Sequence, residues 1–163
     1  MLTLLLLRHA KSSWKDTDLD DHDRPLNKRG KRDAPRMGQL LRDEHLLPDL
    51  IVSSSAKRAR RTAELVAEAS GYRGETRLTC DAYDASAAQL LAVVQSFPGT
   101  AQRVMLVGHN PGLEELLEQL TGQYRPLSTA ALARLEIPCE KWSEINTETR
   151  ANLQHLWQPR ELE

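Results

Sequence analysis

The sequence predicts an α/β protein, folded as a single three-layer α/β/α domain with a mainly parallel sheet and helices on both faces. Short, continuously apolar runs such as Leu4 to Leu7 and Val104 to Val107 are typical of strands buried on both faces of a parallel sheet. Apolar residues at helical spacing lie between such runs, and strands that alternate with helices favour parallel pairing. The length of 163 residues fits one domain with a proper core.

Strands and helices alternate along most of the chain. The first strand is predicted over Leu2 to Leu7, and a polar loop follows it. A helix is expected from about Asn27, a good N-cap, to about Glu44, and Pro35 should kink it or mark a fresh start. Further short strands are expected over these ranges: Leu50 to Val52, Thr76 to Thr79, Val104 to Val107, Ala130 to Ile137 and Ala151 to Trp157. Three further helices are predicted around apolar pairs at helical spacing: Ala59 and Val66, Leu90 and Val94, and Leu113 and Leu120. A short turn around Trp142 separates the last two strands.

Composition and charge argue against several classes of function. The formal net charge is −1, so the overall field gives no reason to expect a nucleic acid or a membrane as partner. Cys80 and Cys139 lack any paired spacing, which argues against a disulfide framework or a zinc site. No run approaches the ~20 apolar residues of a membrane span, and Met1 to Leu7 lacks the pattern of a signal peptide. We therefore expect a cytoplasmic protein, and a monomer as the default for a compact domain.

Two of the buried strands end in loops that carry a histidine. Arg8 and His9 follow the first strand, and His109 follows the strand that ends at Val107. The carboxyl ends of parallel strands meet at one edge of a sheet, where open α/β folds bind their ligands. The two histidines are therefore expected to belong to one site.

A third strand end adds a segment suited to phosphate. The segment from Ser53 to Ala63 follows the strand at Leu50 to Val52 and opens a helix, whose first turn offers backbone N–H groups and a positive dipole end to an anion. Arg58 lies nearer the start of this helix than Arg60 and Arg61, and we expect it to face the site. Two arginine forks beside a nucleophile are what phosphoryl transfer requires.

Four segments of the chain carry a resemblance to a known family. They run Leu7 to Ala10, Arg24 to Gly30, Ser54 to Ala63 and Gly108 to Gly112. In this order and spacing they resemble the histidine phosphatase superfamily, which has the phosphoglycerate mutase-like fold. The short chain without a long lid insertion is similar to the SixA-type phosphohistidine phosphatases of that superfamily.

The resemblance implies a role for each of four residues. His9 matches the nucleophile that accepts the phosphoryl group, Arg8 and Arg58 match the two phosphate-clamping arginines, and His109 matches the second pocket histidine. An imidazole attacks only through an unprotonated nitrogen, so the other nitrogen of His9 should donate to a carbonyl or carboxylate. We expect no cofactor and no metal, because His9 and His109 lack further ligands and the arginines would repel a cation.

The sequence departs from the common family pattern beside the nucleophile. Ala10 stands where many members have Gly, and Lys11 stands where mutase-like members often carry Glu. Lys11 would add positive charge near the phosphate or near an acidic partner. Arg24 either contacts the substrate or pairs with Asp20 or Asp21 at the surface.

The general acid is left open by the sequence. Asp81 or Asp84 lies in the region where relatives carry a carboxylate, and either one fits equally well as the N-cap of the following helix. A leaving imidazole needs less protonation than an alkoxide, so the missing clear acid fits a phosphohistidine substrate.

Some residues outside the motifs have plainer expected roles. We expect these histidines at the surface or in caps: His22, His45 and His155. We expect these tryptophans to pack: Trp14, Trp142 and Trp157.

The sequence thus predicts a cofactor-independent phosphatase that works through a phosphohistidine on His9. Its expected substrate is the phosphohistidine of a partner protein, and a small phosphate ester is the alternative. A non-catalytic phosphate-binding module is the alternative of another class. A mutase is less favoured, because the chain is short for the lid that would retain the intermediate.

Overall fold

The computed structural model describes residues 1–162, and its strands and helices alternate as the sequence predicts. The strands are β1 (Leu2–Arg8), β2 (Leu50–Ser54), β3 (Thr76–Thr79), β4 (Arg103–Gly108), β5 (Leu132–Ile137) and β6 (Asn152–Trp157). The α-helices are α1 (Lys28–Asp43), α2 (Lys57–Ser70), α3 (Ala87–Gln95) and α4 (Gly112–Thr121). A 3₁₀ turn at Trp142–Glu144 lies between the last two strands.

All six strands form one sheet, in the order β3-β2-β4-β1-β5-β6. Strands β3, β2, β4 and β1 pair in parallel, whereas β5 is antiparallel to both of its neighbours. After α4 the chain returns to the carboxyl edge of β1, where Arg8 N donates to Ala131 O at 3.1 Å. Strand β5 therefore starts at that edge and runs opposite to β1. The predicted α/β class with a mainly parallel sheet is confirmed.

Helices cover both faces of the sheet, and β1 shows how the core is divided. Leu4 and Leu6 pack into a cluster with α3 and α4, whereas Leu5 and Leu7 pack into a second cluster with α1 and α2. Each of these leucines is fully buried, which contributes about 1.5–3 kcal/mol per side chain. The continuous apolar run of β1 therefore follows from burial on both faces. Within residues 1–162, every helix is too short or too polar to cross a bilayer.

The helix starts follow from local capping. Asn27 Oδ1 accepts a hydrogen bond from Gly30 N at 2.9 Å, which confirms Asn27 as the N-cap of α1. The helix continues through Pro35 without a fresh start. Ser86 caps α3 in a reciprocal pair with Gln89, so neither of the two aspartates considered for this position is its N-cap.

Candidate active site

Strand pairing brings the two predicted histidines together. Arg8 and Gly108 are partners in the parallel ladder between β1 and β4, and His9 N donates to Gly108 O at 3.0 Å. The residues that follow these strand ends therefore meet at one edge of the sheet. The ring centroids of His9 and His109 lie 5.0 Å apart, and both side chains are buried.

His9 is held in one tautomer. Its Nδ1 lies 2.7 Å from Ala10 O, and a carbonyl oxygen only accepts, so Nδ1 carries the proton and Nε2 keeps its lone pair. The pKa of His9 is lowered to about 3, mainly by burial; His109, Arg58 and Arg8 also lower it, and the hydrogen bond to Ala10 opposes them. At neutral pH the ring is therefore uncharged, and its unprotonated Nε2 belongs to a residue that lines the cavity. The expected carbonyl partner of His9 is confirmed.

A threonine in the segment from Ser54 to Ala63 connects the loop that carries His9 to α2. Thr62 Oγ1 accepts from Ala10 N at 3.0 Å and donates to Arg58 O at 2.7 Å. This bridge places the first turn of α2 beside the histidine loop, and Arg58 lies there buried in the cavity wall. Arg60 and Arg61 are exposed instead and pair with a glutamate one turn further along α2.

The segment from Arg24 to Gly30 also contacts the loop that carries His9. Asn27 N donates to Lys11 O at 3.0 Å, and Gly30 packs directly against the Lys11 backbone. A Cβ at Gly30 would collide with Lys11 O, so only glycine allows this close approach. The side chain of Lys11 lines the cavity.

His109 is fixed by a hydroxyl at the end of β2. Its Nε2 lies 2.8 Å from Ser54 Oγ, which also accepts from Ala56 N at 3.2 Å. The pKa of His109 is lowered to about 4, mainly by burial and next by the charge of Arg58. The second ring is therefore also neutral at pH 7.

The cavity between these residues has a volume of about 320 Å³ and a strongly cationic wall. Arg8, Arg24 and Arg58 all line it, and each has a buried Nε–H without a partner among the described residues. Burial is the main cause that lowers the pKa of Arg8 and of Arg24, so each guanidinium gains from an anion placed beside it. Among residues 1–162, no group of three His, Cys, Asp or Glu side chains is arranged to hold a metal ion.

A carboxylate that no motif indicated also belongs to this wall. Arg58 donates to Asp21 O at 2.7 Å and to Asp21 Oδ2 at 3.0 Å, and the Tyr83 hydroxyl donates to the same Oδ2 at 2.6 Å. Arg24 Nη1 lies 3.6 Å from Asp21 Oδ1. Of the two expected partners, Asp20 and Asp21, the structure selects Asp21, and Arg24 is buried at the cavity instead of lying at the surface. Nothing in the acidic stretch distinguishes Asp21 by sequence.

The two expected general-acid positions lie in different places. Asp84 lines the same cavity as His9 and His109, and its backbone has a left-handed φ of 49°. Asp81 lies in a 3₁₀ turn beside α3 and lines a separate cavity of about 530 Å³. Asp81 is therefore not brought to the site. Tyr83 contributes to the walls of both cavities.

Two residues outside the motifs contribute to the rim. Trp14 is 69% exposed, and the guanidinium carbon of Arg24 lies 3.3 Å from its ring centroid. Trp14 was expected to pack, and it lies largely exposed with Arg24 over its ring, whereas Trp142 and Trp157 are buried as expected. His22 Nε2 lies 2.9 Å from a serine hydroxyl that precedes α2, and its ring meets Tyr83 edge-on at 4.9 Å.

Comparison with known proteins agrees with this geometry. The model of the histidine phosphatase superfamily (branch 1) matches residues 4–81. An uncharacterized chloroplastic protein of Arabidopsis thaliana is 37% identical over 150 residues, which cover 86% of this chain and 69% of the relative. The crystal structure of SixA from Agrobacterium tumefaciens, a proposed phosphohistidine phosphatase, superposes with a TM-score of 0.84 at 30% identity. That match covers 97% of this chain and 98% of the other.

A mutase relative matches less of the chain. The 2,3-bisphosphoglycerate-dependent phosphoglycerate mutase of Streptomyces avermitilis is 46% identical over 67 residues, or 40% of this chain. The match spans only 26% of the mutase, so the two proteins share a local region. The SixA match, by contrast, covers nearly the whole of both chains. The chain belongs to the histidine phosphatase superfamily, and within it to the SixA-like phosphatases.

Proposed function

We propose that this protein is a cofactor-independent phosphatase that transfers the phosphoryl group of a partner protein's phosphohistidine to His9 and then to water. The observation that carries the proposal is the state of His9. Its Nδ1–H is held by a carbonyl, and its unprotonated Nε2 belongs to a residue that lines an arginine-rich cavity. A neutral imidazole in cationic surroundings is suited to attack an anionic phosphoryl group.

In the first step, His9 Nε2 attacks phosphorus and an N–P bond forms. The bond from phosphorus to the substrate nitrogen breaks, and the leaving imidazole takes the electron pair. Arg8 and Arg58 stabilise the charge on the equatorial oxygens, as guanidinium forks do in other phosphoryl transfers. We assign the Ser54 hydroxyl as donor to His109 Nε2, because it already accepts from Ala56 N, and this leaves the proton of the neutral ring on Nδ1 for a phosphoryl oxygen.

In the second step, water attacks the phosphorus of phospho-His9. The N–P bond breaks, its electron pair returns to Nε2, and inorganic phosphate leaves with the oxygen and protons of the water. His9 is regenerated in the neutral tautomer that the Ala10 carbonyl favours. The two steps conserve atoms and electrons without a redox partner or a cofactor.

A protein phosphohistidine is favoured as substrate by the cavity and by the leaving group. A phosphohistidine on a folded partner must reach a buried His9 through the cavity mouth, and the SixA-like chain has no long insertion to cover it. Imidazole also leaves more readily than an alkoxide, so no carboxylic acid is required. We assign Arg24 and Lys11, which both line the cavity, to substrate binding.

A small phosphate ester is the second candidate substrate, because Asp84 lines the cavity and could protonate an alkoxide. A purely phosphate-binding module is disfavoured by the same tautomer that supports catalysis, since binding alone needs no free Nε2. These three functions differ in what they release: phosphate from phosphohistidine, phosphate from esters, or none.

The direct test is to trap the intermediate. The protein is mixed with a histidine-phosphorylated partner domain, quenched under alkaline conditions that preserve P–N bonds, and mapped by mass spectrometry. Phosphate is expected on His9, and His9→Ala should abolish release of inorganic phosphate while His155→Ala retains it. Phosphate on another residue, or turnover that survives His9→Ala, would contradict the mechanism.

A substrate panel separates the candidate functions. Phosphohistidine protein, a sugar phosphate and 4-nitrophenyl phosphate are compared by kcat/KM at equal enzyme concentration. The proposal predicts the highest kcat/KM for phosphohistidine. A clear preference for the sugar phosphate would support the ester phosphatase, and phosphate binding without turnover of any substrate would support the binding module.

A further inference from the structure

Asp21 presents a physical contradiction, because it places a fixed negative charge in a cavity that binds an anion. Its carboxylate lines the same wall as Arg24 and Arg58. At a few ångströms, two like charges near a protein surface repel by several kcal/mol before screening. A carboxylate in this position weakens phosphate binding unless it also interacts with another part of the substrate.

The two carboxylate oxygens of Asp21 have different surroundings. Oδ2 accepts hydrogen bonds from Tyr83 at 2.6 Å and from Arg58 at 3.0 Å. Oδ1 has only a long ion pair with Arg24, at 3.6 Å, and accepts no hydrogen bond from the described residues. Oδ1 therefore keeps its capacity to accept a hydrogen bond from a ligand.

Asp21 also lies on the side of the cavity where the leaving group must be. His9 is buried, so an in-line attack from its Nε2 places the leaving group away from the protein interior, toward the mouth. The Asp21 side chain is 50% exposed, whereas the Arg24 and Arg58 side chains beside it are 8% exposed. Among these three neighbours, Asp21 has the side chain most accessible to solvent, and hence to a ligand that enters from solvent.

We propose that Asp21 Oδ1 accepts a hydrogen bond from the second ring nitrogen of the substrate phosphohistidine and thereby selects P–N substrates over phosphate esters. This inference rests on the proposed function and assigns the group that recognises the leaving imidazole. Tyr83 acts as a positioning residue, because its hydroxyl holds Oδ2 and leaves Oδ1 for the substrate.

The chemistry needs no proton transfer. A phosphohistidine that carries a proton on its second nitrogen is a phosphoimidazolium, and cleavage of its P–N bond releases neutral imidazole. The electron pair of the P–N bond returns to the ring and cancels its positive charge, while the N–H stays on the ring beside Asp21. Without that proton the ring would have to leave as imidazolate, a far poorer leaving group. A carboxylate that binds the N–H therefore favours the reactive form of this substrate.

The charge state of Asp21 agrees with this role. The hydrogen bond from Tyr83 is the main cause that lowers the pKa of Asp21, and Arg58 and Arg24 lower it further. An ionised carboxylate cannot serve as a general acid for an alkoxide, but it can accept an N–H. A phosphate ester has no such N–H at its leaving group, so Asp21 offers it no contact that would compensate the repulsion.

The test compares two substrates in two variants of the full-length protein. Asp21→Asn removes the negative charge and keeps the side-chain shape, and Asp20→Asn removes the adjacent exposed charge, whose side chain makes no capping contact. For each protein, kcat/KM is measured with Nε2-phosphohistidine and with 4-nitrophenyl phosphate, whose leaving group needs no acid. Thermal unfolding of each variant verifies that it is folded.

Asp21→Asn is expected to lower kcat/KM for phosphohistidine by about 10- to 100-fold, the range of one charge-assisted hydrogen bond. It should leave 4-nitrophenyl phosphate within about twofold or improve it, and Asp20→Asn should change neither. An equal loss on both substrates would overturn the inference, because it would mean that Asp21 only positions Arg58. Failure of the wild type to hydrolyse phosphohistidine while it hydrolyses esters would instead overturn the proposed function itself.

Discussion

Acid sensitivity of the folded protein should originate in part from the neutral His9. The ordinary pKa of a histidine is 6.5, and burial lowers that of His9 to about 3. Above pH 6.5 the ring is neutral in both the folded and the unfolded chain, so it contributes no pH dependence. As the pH falls below 6.5, His9 becomes protonated in the unfolded chain but stays neutral in the folded chain. The free energy of unfolding therefore decreases through the window from pH 6.5 to about 3.

The size of this effect follows from the width of the window. Each pH unit between the two pKa values corresponds to about 1.36 kcal/mol. At pH 4.5, two units below the ordinary value, His9 should destabilise the fold by about 2 to 3 kcal/mol relative to pH 7.5. His9→Asn removes the titrating ring and keeps a side-chain N–H that can donate to the Ala10 carbonyl.

Urea unfolding at pH 7.5 and pH 4.5, followed by tryptophan fluorescence and circular dichroism, measures the effect. The loss of stability between the two pH values should be about 2 to 3 kcal/mol larger in the wild type than in His9→Asn. Because each protein is compared with itself, the titrating groups remote from His9 cancel, and the difference reports His9 together with its coupling to His109. His155→Asn controls for removal of a histidine outside the site. Equal losses in wild type and His9→Asn would refute the view that His9 is neutral because it is buried.

Three further substitutions test the cavity and its scaffold. Arg58→Lys replaces a buried fork by a single ammonium group and should lower kcat/KM for any phosphorylated substrate by about 100-fold, whereas Arg60→Lys on the exposed face should leave it unchanged. Gly30→Ala forces a Cβ against a backbone carbonyl and should lower the free energy of unfolding by roughly 2 kcal/mol or more in a urea titration, while Gly99→Ala, with open space around it, should not. Asp84→Asn should leave phosphohistidine hydrolysis within about twofold, because the leaving imidazole needs no acid, and a much larger loss would identify Asp84 as a general acid.

The fold was predictable where burial and local geometry decide it. Strands β1 and β4 are buried on both faces, and this produces a continuous apolar run that few other elements share. Asn27 caps α1 through a hydrogen bond three residues along the chain, so the signal is entirely local. The reversed direction of β5 was not predictable, because apolar pattern does not encode strand direction. That direction depends on the return of residues 122–131 to the carboxyl edge of β1.

The position of the site was predictable because its members follow strand ends. Arg8 and His9 follow β1, His109 follows β4, and Arg58 lies in the first turn after β2. Parallel pairing of these three strands then brings them to one edge without further information. Their roles in catalysis remain predictions that the variants above test. Asp81, in contrast, lies in a 3₁₀ turn and lines the other cavity, which the sequence pattern did not reveal.

Asp21 and Trp14 could not be found in the same way, because they lie in a loop whose path is set by long-range contacts. The loop is held at Asp21 by Arg58 and at Trp14 by Arg24, which also bonds to Ser12. The periodicity of apolar residues in the sequence does not predict such long-range contacts. Arg58, which was considered only for phosphate binding, therefore also helps to build the wall of the cavity together with Arg24.

Arg58 can hold the loop and bind phosphate at the same time because of its shape. A guanidinium has five N–H donors in a rigid plane, and Asp21 engages one on each terminal nitrogen. The Nε–H and one N–H on each terminal nitrogen remain, and the Nε–H has no partner among the described residues. Asp21 therefore need not be displaced when phosphate binds, and the carboxylate can stay in place to meet a leaving imidazole. A lysine has its three donors on a single nitrogen, so it could not bind Asp21 and phosphate through separate N–H groups on different sides as the guanidinium does.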